Sequence, residues 1–266
     1  MKLDVYDIKA EKKGSVELPV QFNEQYRPDL VKRAAFAIQS SLVHPYGSKI
    51  GAGMRASAKL SRKRRDYKTG YGVGQSRSPR KVLSRRGTRF NFVGANANFT
   101  VGGKRAHPPH VNKVILQKIN DKERRKAIRC AISACIMKEI VARKHQVPEK
   151  YPFVLSSDFE NMKKTAEVLA ALKNLGLNAE IERVSERRLR AGKGSVRGRK
   201  YKTKKGPLIV VAKECSLEKI KNIPGVEIAK INEINSLKLA PGAEAGRLTL
   251  FTENAIKRLK EERLFV

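Results

Sequence analysis

The most restrictive feature of the sequence is a long stretch, residues 47–110, that lacks a regular pattern. No helical or strand periodicity in it lasts more than a few residues, and ten of the chain's 19 glycines lie between Gly47 and Gly103. A structureless stretch of this length is uncommon inside a compact domain and is typical of a functional or partner-ordered segment. Doubled back on itself, about 30 residues each way would reach up to roughly 100 Å at ~3.3 Å per residue. The sequence therefore predicts an extended arm.

The positive charge of the chain is concentrated in this arm and in one later segment. The 266 residues carry a formal net charge of +33. Residues 30–120 hold 20 basic residues and one acid, Asp66, and residues 187–205 hold ten basic residues and no acid, so the two ranges contribute +29. A solvated lysine face is the simplest explanation of a charge run, but such faces carry mixed signs. The imbalance instead indicates a polyanionic partner whose phosphates neutralise the cations.

The rest of the chain predicts an α/β fold. Apolar periodicity and capping residues predict a short N-terminal hairpin, then helices at residues 28–42, from Asn120 (capped with Glu123), after Ser157 (capped with Glu160), at 216–222 and after Thr252. Strands are predicted at residues 151–156, 179–184, 207–212, 226–231 and 247–251. This alternation predicts a mostly parallel central sheet flanked by helices. Residues 1–46 and 111–266 would form the globular domain, with the 47–110 loop inserted near the N-terminal third.

The second basic segment is the densest motif in the chain. Between Arg190 and Gly206 four glycines allow the backbone to approach phosphates closely, and Arg197 and Arg199 can each bind paired oxygens. The spacing Gly192-x-Gly194-x-x-x-Gly198 differs by one residue from a dinucleotide-binding fingerprint and does not directly follow a strand. It also lacks the spacing of a phosphate-binding P-loop. Nucleotide binding is therefore the weaker interpretation.

Aromatic residues alternate with cations in the arm. Tyr67, Tyr71, Phe90 and Phe92 lie among arginines and lysines, a combination that suits stacking on unpaired RNA bases. A disordered basic tail is the alternative, but the uncharged residues 90–99 indicate fixed packing. The cluster at residues 62–65 also resembles a nuclear-localisation signal, and composition does not separate the two.

No catalytic or metal-binding constellation is apparent. The sequence His107-Pro-Pro-His110 has no cysteine or acid beside it, so we interpret it as a rigid return of the arm. The three cysteines have no metal-ligand spacing and fit a reducing compartment. No run of 18 apolar residues is present, so no membrane span is expected. We expect a soluble intracellular protein that is not an enzyme and takes no cofactor, metal or small-molecule substrate.

Five stretches of the chain match a known family. They are GAGMRASAK (51–59), VGGKRAHPP (101–109), INDKERRKAI (119–128), RAGKG (190–194) through GP (206–207), and LAPGAEAGR (239–247). The chain resembles the large-subunit ribosomal protein uL4 family in its archaeal and eukaryotic form. The resemblance implies a cytoplasmic constituent of the large ribosomal subunit, with a globular α/β domain on the outside. It also implies that residues 47–110 penetrate the ribosomal RNA and reach the nascent-peptide exit tunnel.

The resemblance and the charge together give candidate contact residues. The expected partners are large-subunit ribosomal RNA, neighbouring ribosomal proteins and, by proximity, the nascent peptide. The candidate RNA-binding residues in the arm are Arg55, Lys59, Arg62, Lys63, Arg64, Arg65, Tyr67, Lys68, Arg77, Arg80, Lys81, Arg85, Arg86, Arg89, Lys104 and Arg105. Those in the second segment are Arg187, Arg188, Arg190, Lys193, Arg197, Arg199, Lys200, Lys202, Lys204 and Lys205. With the tip placed at residues 62–74, the resemblance implies that Arg64, Tyr67, Tyr71, Gly72 and Val73 face the tunnel.

Two other classes of protein fit the sequence less well. A nuclease or RNA methyltransferase needs clustered acids for metal ions or a glycine-rich cofactor loop after a strand, and the basic segments contain neither. The predicted α/β body with a single long arm fits poorly with a DNA-compacting or nuclear regulatory protein. The sequence therefore favours a structural RNA-binding protein.

Overall fold

The chain folds into two compact units. The computed structural model describes residues 1–66, 71–72, 74–87, 89–220 and 222–266. The first unit, here called the body, comprises Met1–Leu42 and Leu116–Val266, and the second, here called the inserted unit, comprises Val43–Ile115.

The described residues contain both strands and helices. The strands are β1 (Lys2–Tyr6), β2 (Lys12–Glu17), β3 (Arg80–Arg86), β4 (Arg89–Gly94), β5 (Val154–Leu155), β6 (Arg188–Leu189), β7 (Tyr201–Lys202), β8 (Leu208–Val211), β9 (Glu227–Lys230) and β10 (Thr249–Thr252). The α-helices are α1 (Pro28–Ser41), α2 (Asp121–Ile136), α3 (Lys138–Ala142), α4 (Thr165–Asn174), α5 (Asn178–Ser185), α6 (Lys193–Val196), α7 (Ser236–Leu239) and α8 (Glu253–Glu261). Short 3₁₀ turns lie at Val20–Phe22, Ser157–Asn161, Ser216–Lys219, Ile231–Glu233 and Pro241–Ala243.

The body is built on a mixed, mostly parallel sheet of six strands in the order β2-β1-β5-β10-β8-β9. Strand β2 pairs antiparallel with β1, and the pairs β1–β5, β5–β10, β10–β8 and β8–β9 are all parallel. With helices packed around the sheet, the predicted α/β class is confirmed.

Strand β8 shows how the sheet separates two cores. All four of its residues are buried, as its run of apolar side chains predicts for a parallel strand covered on both faces. Leu208 and Val210 belong to a core cluster with residues of α1, α2 and α8, whereas Ile209 and Val211 belong to a second cluster with residues of α4 and α5. Because successive side chains of a strand point to opposite faces, each face of the sheet carries its own core.

One predicted strand is wrong. Residues 179–184 form most of helix α5 rather than a strand. Gly176, with φ of +84°, ends α4, and the Leu177 N–H donates to the Leu172 carbonyl, so the chain turns directly into a second helix. Ile181 and Val184 lie three residues apart and are both buried, which is the spacing of one helix face.

Two predicted helix caps also differ in the structure. Ser157 and Glu160 lie in a 3₁₀ turn, and α4 begins only at Thr165. Glu160 instead accepts hydrogen bonds from Thr252 Oγ1 and Asn254 Nδ2. Helix α2 begins after Asn120 as predicted, but the Asn120 side chain makes no capping bond. The predicted cap at Thr252 is confirmed, since its side chain accepts from the Ala255 N–H.

The inserted unit contains a β-hairpin that the sequence did not predict. Strands β3 and β4 pair antiparallel, with Arg80 opposite Gly94 and Arg85 opposite Phe90. Phe90 and Phe92 are half-buried while Arg89, Asn91 and Val93 are exposed, so the alternation of a half-covered strand is present in β4. The segment before this hairpin lies against the segment after it: Gly47 is close to Pro109, and Gly53 is close to Gly103. An extended arm over residues 47–110 remains a prediction.

Candidate nucleic-acid interface

The first cationic surface is a hairpin in the body, here called the basic hairpin (residues 187–205). Strands β6 and β7 pair antiparallel, and the Arg190 N–H donates to the Lys200 carbonyl at 2.8 Å. Between them the one-turn helix α6 is bracketed by Gly192 and Gly198, with φ of +81° and +78°. These left-handed positions favour glycine, which explains why the motif is glycine-rich. The result is a short loop that presents α6 and the residues after it to solvent.

The end of the basic hairpin is fixed to the sheet by a buried arginine. Arg247, which is 1% exposed, donates from Nε to the Gly206 carbonyl at 2.9 Å and from Nη1 to Glu227 Oε2 at 2.7 Å. Lys205 is paired with the same carboxylate. Burial raises the pKa of Glu227, but hydrogen bonds from Lys205 and Arg247 outweigh it and lower the pKa overall. Glu227 is therefore ionised, and it links β9 to the residues at the C-terminal end of the hairpin.

A second buried acid fixes the same end from α5. The Arg183 Nη2 donates to the Lys205 carbonyl at 2.9 Å and to Glu180 Oε1 at 2.7 Å. Glu180 is fully buried and also contacts His145 Nδ1 at 2.7 Å. Burial alone would raise its pKa, but hydrogen bonds from Arg183, His145 and the Gln146 N–H lower the pKa to about 2. The sequence does not predict this network, because residues 179–184 read as a strand; the spacing of Leu177, Ile181 and Val184 is the signal that indicates a helix.

The predicted contact residues of the basic hairpin divide into two groups. Arg190, Lys204 and Lys205 bind within the protein: Arg190 Nε donates to the Arg199 carbonyl at 3.1 Å, and Lys204 pairs with Glu186 at 2.5 Å. Arg188 is also near Glu186, at 3.8 Å. The other group is exposed and, among the residues that the structure describes, takes part in no ion pair: Arg187, Lys193, Arg197, Arg199, Lys200 and Lys202. The second group is available for an external anion.

The second cationic surface lies on the inserted unit. Asp66 is the sole acidic residue between Val43 and Ile115. Apart from Arg80, which is half-buried, the described cations of the predicted set are all exposed: Arg55, Lys59, Arg62, Lys63, Arg64, Arg65, Arg77, Lys81, Arg85, Arg86, Arg89, Lys104 and Arg105. Tyr67, Lys68 and Val73 lie outside the described residues.

Aromatic rings order several of these guanidinium groups. Arg80 lies over the ring of Phe92 at 5.8 Å and Arg85 over Phe90 at 5.2 Å, both across the β3–β4 hairpin. Arg77 lies over Tyr71 at 4.7 Å. Of the residues assigned to the tunnel, Tyr71 is half-buried while Arg64 and Gly72 are exposed. Flat, cationic faces of this kind can both neutralise phosphates and stack on bases.

Other kinds of site are not found in the described part of the chain. No group of three or more histidine, cysteine, aspartate or glutamate side chains there could hold a metal ion. None of the described helices is long and apolar enough to span a bilayer. His107 and His110 are both exposed, and neither belongs to a metal-ligand cluster among the described residues.

Comparison with known proteins gives a consistent match over nearly the whole sequence. The family model described as "Ribosomal protein L4/L1 family" matches residues 16–262. The protein named large ribosomal subunit protein uL4 of Nanoarchaeum equitans is 44% identical, over 100% of both chains. The protein of the same name in Methanospirillum hungatei is 41% identical, over 98% of this chain and 100% of the relative. The one in Methanococcus vannielii is 40% identical, over 98% of this chain and 99% of the relative.

Proposed function

The chain belongs to the ribosomal protein L4/L1 family, and from that premise we propose that it is a structural constituent of the large ribosomal subunit that binds the RNA of that subunit. Similarity to archaeal uL4 proteins over the full length of the chain supports the assignment to the large subunit. The observation that carries the RNA-binding part is the pair of surfaces on which exposed cations have almost no acidic counterpart.

The two surfaces would bind RNA in different ways. The basic hairpin presents Lys193, Arg197 and Arg199 on a loop whose C-terminal end is fixed by Arg247 and Arg183, so it provides a preorganised patch for phosphates. Such preorganisation limits the side-chain and loop entropy lost on binding. The inserted unit combines cations with aromatic rings and would neutralise phosphates while stacking on unpaired bases.

We also propose that the inserted unit penetrates the RNA and lines the nascent-peptide exit tunnel. Its close-packed, doubled-back chain supports a narrow element, since glycines allow backbone-to-backbone contact at Gly53 and Gly103. In this proposal Arg64, Tyr67, Tyr71, Gly72 and Val73 remain the tunnel-facing candidates. Its other partners would be neighbouring large-subunit proteins and, by proximity, the nascent peptide.

Sedimentation of a cell lysate tests the proposal. The full chain should remain with the large ribosomal subunit in a high-salt sucrose gradient, because contacts to several RNA segments act together and salt must weaken all of them before the chain is released. The variant with Lys193, Arg197 and Arg199 all changed to alanine should be partly released at lower salt. A matched variant that removes three exposed lysines of the body (Lys163, Lys173 and Lys260 to alanine) should sediment like the wild type. A protein found only in a free or chromatin pool would refute the proposal.

A further inference from the structure

A groove lies where the first and last residues of the inserted unit meet, and the role proposed above for the two cationic surfaces does not explain it. Ser48 N–H donates to the Pro109 carbonyl at 3.1 Å, and a Cβ added at Gly47 would lie 2.7 Å from Val111 Cγ2. These contacts place Tyr46 opposite the His107-Pro-Pro-His110 turn. The groove between them has a volume of about 670 Å³ and is lined by Tyr46, His107, the two prolines and His110. This volume lies within the range of small-ligand sites.

A second groove of about 540 Å³ lies on the other side of the same turn. The two grooves share Arg105 and residues 108–110, so the Pro-Pro segment forms the wall between them. Ile50 and Met54, both exposed apolar side chains, lie on the second groove. Rigid proline rings with apolar and aromatic surface on both sides make two adjacent slots rather than one open face.

The rim of both grooves is cationic. Arg105 and Lys113 border the first groove, and Lys49, Lys104 and Arg105 border the second, with no Asp or Glu in the lining of either. Tyr46 is 62% exposed and Ile50 is 92% exposed, although each is a large apolar side chain. Exposed rings and apolar side chains inside an acid-free cationic rim fit an anionic ligand that also has a flat apolar face.

We propose that these two grooves hold unpaired bases of an RNA strand whose phosphates lie on the cationic rim. The proposal deepens the function proposed above and rests on it. Tyr46, His107 and His110 provide rings on which a base can stack, and the Asn112 amide offers a donor and an acceptor for a base edge. An acidic peptide would meet the same cations, but its carboxylates would make no use of the stacking surfaces. None of these side chains was among the candidate RNA-binding residues in the sequence.

Photocrosslinking and affinity measurement with the full-length protein test this assignment. The probe is a 12-nucleotide oligouridine that carries one 4-thiouridine, and the comparison probe is the same strand annealed to its complement. We expect mass spectrometry to locate crosslinks at Tyr46 or within residues 107–110 for the single strand and not for the duplex. The variant Tyr46→Ala should bind the single strand about 5- to 150-fold more weakly, the range for loss of one stacked base.

The conservative variant and the salt dependence separate stacking from charge. Tyr46→Phe keeps the ring and should restore wild-type affinity. Because Tyr46 carries no charge, Tyr46→Ala should leave the slope of log K against log salt unchanged, whereas Lys113→Ala should lower that slope by about 1. Tyr46 is mostly exposed, so its loss should not change the circular dichroism spectrum.

The outcomes distinguish this inference from the function on which it rests. Steep salt-dependent RNA binding together with unchanged affinity of Tyr46→Ala and crosslinks elsewhere would overturn the base-binding grooves alone. Wild-type binding that is weak and insensitive to salt would refute both. Displacement of the groove crosslinks by an oligo-aspartate peptide but not by unlabelled oligouridine would assign the groove to a protein segment and overturn the proposal.

Discussion

Two arginine side chains, one buried and one half-buried, hold the C-terminal end of the basic hairpin. Arg247 reaches the Gly206 and Lys238 carbonyls and the Glu227 carboxylate from inside the body, and Arg183 reaches the Lys205 carbonyl from α5. An arginine that is fully buried and hydrogen-bonded in this way fixes position rather than contributing charge to the surface. The same residue type therefore has two roles in the chain: arginines inside the body hold the hairpin, and those on its loop are free to bind anions.

Replacing the buried arginine should destabilise the body. Arg247→Met keeps most of the side-chain volume but leaves Glu227 without its buried partner and the Gly206 carbonyl without a donor. We expect the free energy of unfolding in urea to fall by about 3 kcal/mol. Lys257→Ala removes an exposed pair with Glu253 and should cost less than about 1 kcal/mol. Equal losses in the two variants would show that burial of Arg247 has no special role.

The low pKa of Glu180 predicts a dependence of stability on acid. Its pKa is about 2 in the folded protein, against 4.5 as the ordinary value. The folded state therefore binds this proton more weakly than the unfolded state, so the stabilisation is complete above about pH 4.5. It is lost as the pH falls toward 2 and amounts to something on the order of 3 kcal/mol. In Glu180→Gln, urea unfolding followed between pH 5 and pH 2 should show a smaller loss of stability than in the wild type. An identical pH profile would contradict this.

At the scale of elements, the two units differ in how they are stabilised. In the body, every residue of β8 and β10 is buried, whereas Ser78 and Ala95 are the buried residues among those described in the inserted unit. Segments with few buried apolar contacts open at lower free energy. The inserted unit is held instead by close backbone contacts that require glycine.

Hydrogen exchange should follow this division. Without RNA, amides of the inserted unit should exchange faster than those of β8 and β10, because opening them exposes little apolar surface. RNA should slow the exchange of the inserted unit and leave the two strands unchanged. Protection of the inserted unit equal to that of β8 in the free protein would contradict the prediction.

A glycine substitution tests the close backbone contacts. A Cβ at Gly103 would collide with the Ala97 carbonyl oxygen and Thr100 Oγ1, so Gly103→Ala must displace the chain locally. We expect faster limited proteolysis within residues 43–115 in this variant. Gly14→Ala is the matched control, since nothing lies within 4 Å of the Cβ position there. Equal cleavage rates in both variants would argue against tight packing of residues 97–103.

The elements that could be predicted from the sequence are those whose pattern is dictated by burial on the sheet. The sequence predicts both the apolar run of β8 and the Thr252 cap of α8. Helix α5 was not predicted, because Ala179 and Ile181 alternate with glutamates as in a strand, and this alternation competes with the helical spacing of Leu177, Ile181 and Val184. The β3–β4 hairpin was not predicted either, because β3 carries four cations in its seven residues and all of them except Arg80 are exposed, so it shows no alternation of a strand. The buried role of Arg247 has no local signal, since its partners come from residues distant in sequence.

At the scale of the whole molecule, the net charge of +33 describes two surfaces rather than the chain as a whole. Many of the body's cations are paired with its acids, as Arg129 is with Glu24 and Lys230 with Glu214. The basic hairpin and the inserted unit carry cations that exceed the acids around them. The excess positive charge of these two surfaces would be neutralised only when a polyanion covers both of them.

The salt dependence of RNA binding tests this account most directly. Affinity of the full chain for large-subunit ribosomal RNA should be measured at salt concentrations from 50 to 200 mM. With on the order of 10 phosphate contacts, the account predicts a fall in affinity of about 10³–10⁵ over this range. The variant lacking Lys193, Arg197 and Arg199 should show a slope smaller by about 3. A shallow slope for the wild type, equal to that of the triple variant, would contradict the central claim that these cations bind RNA phosphates.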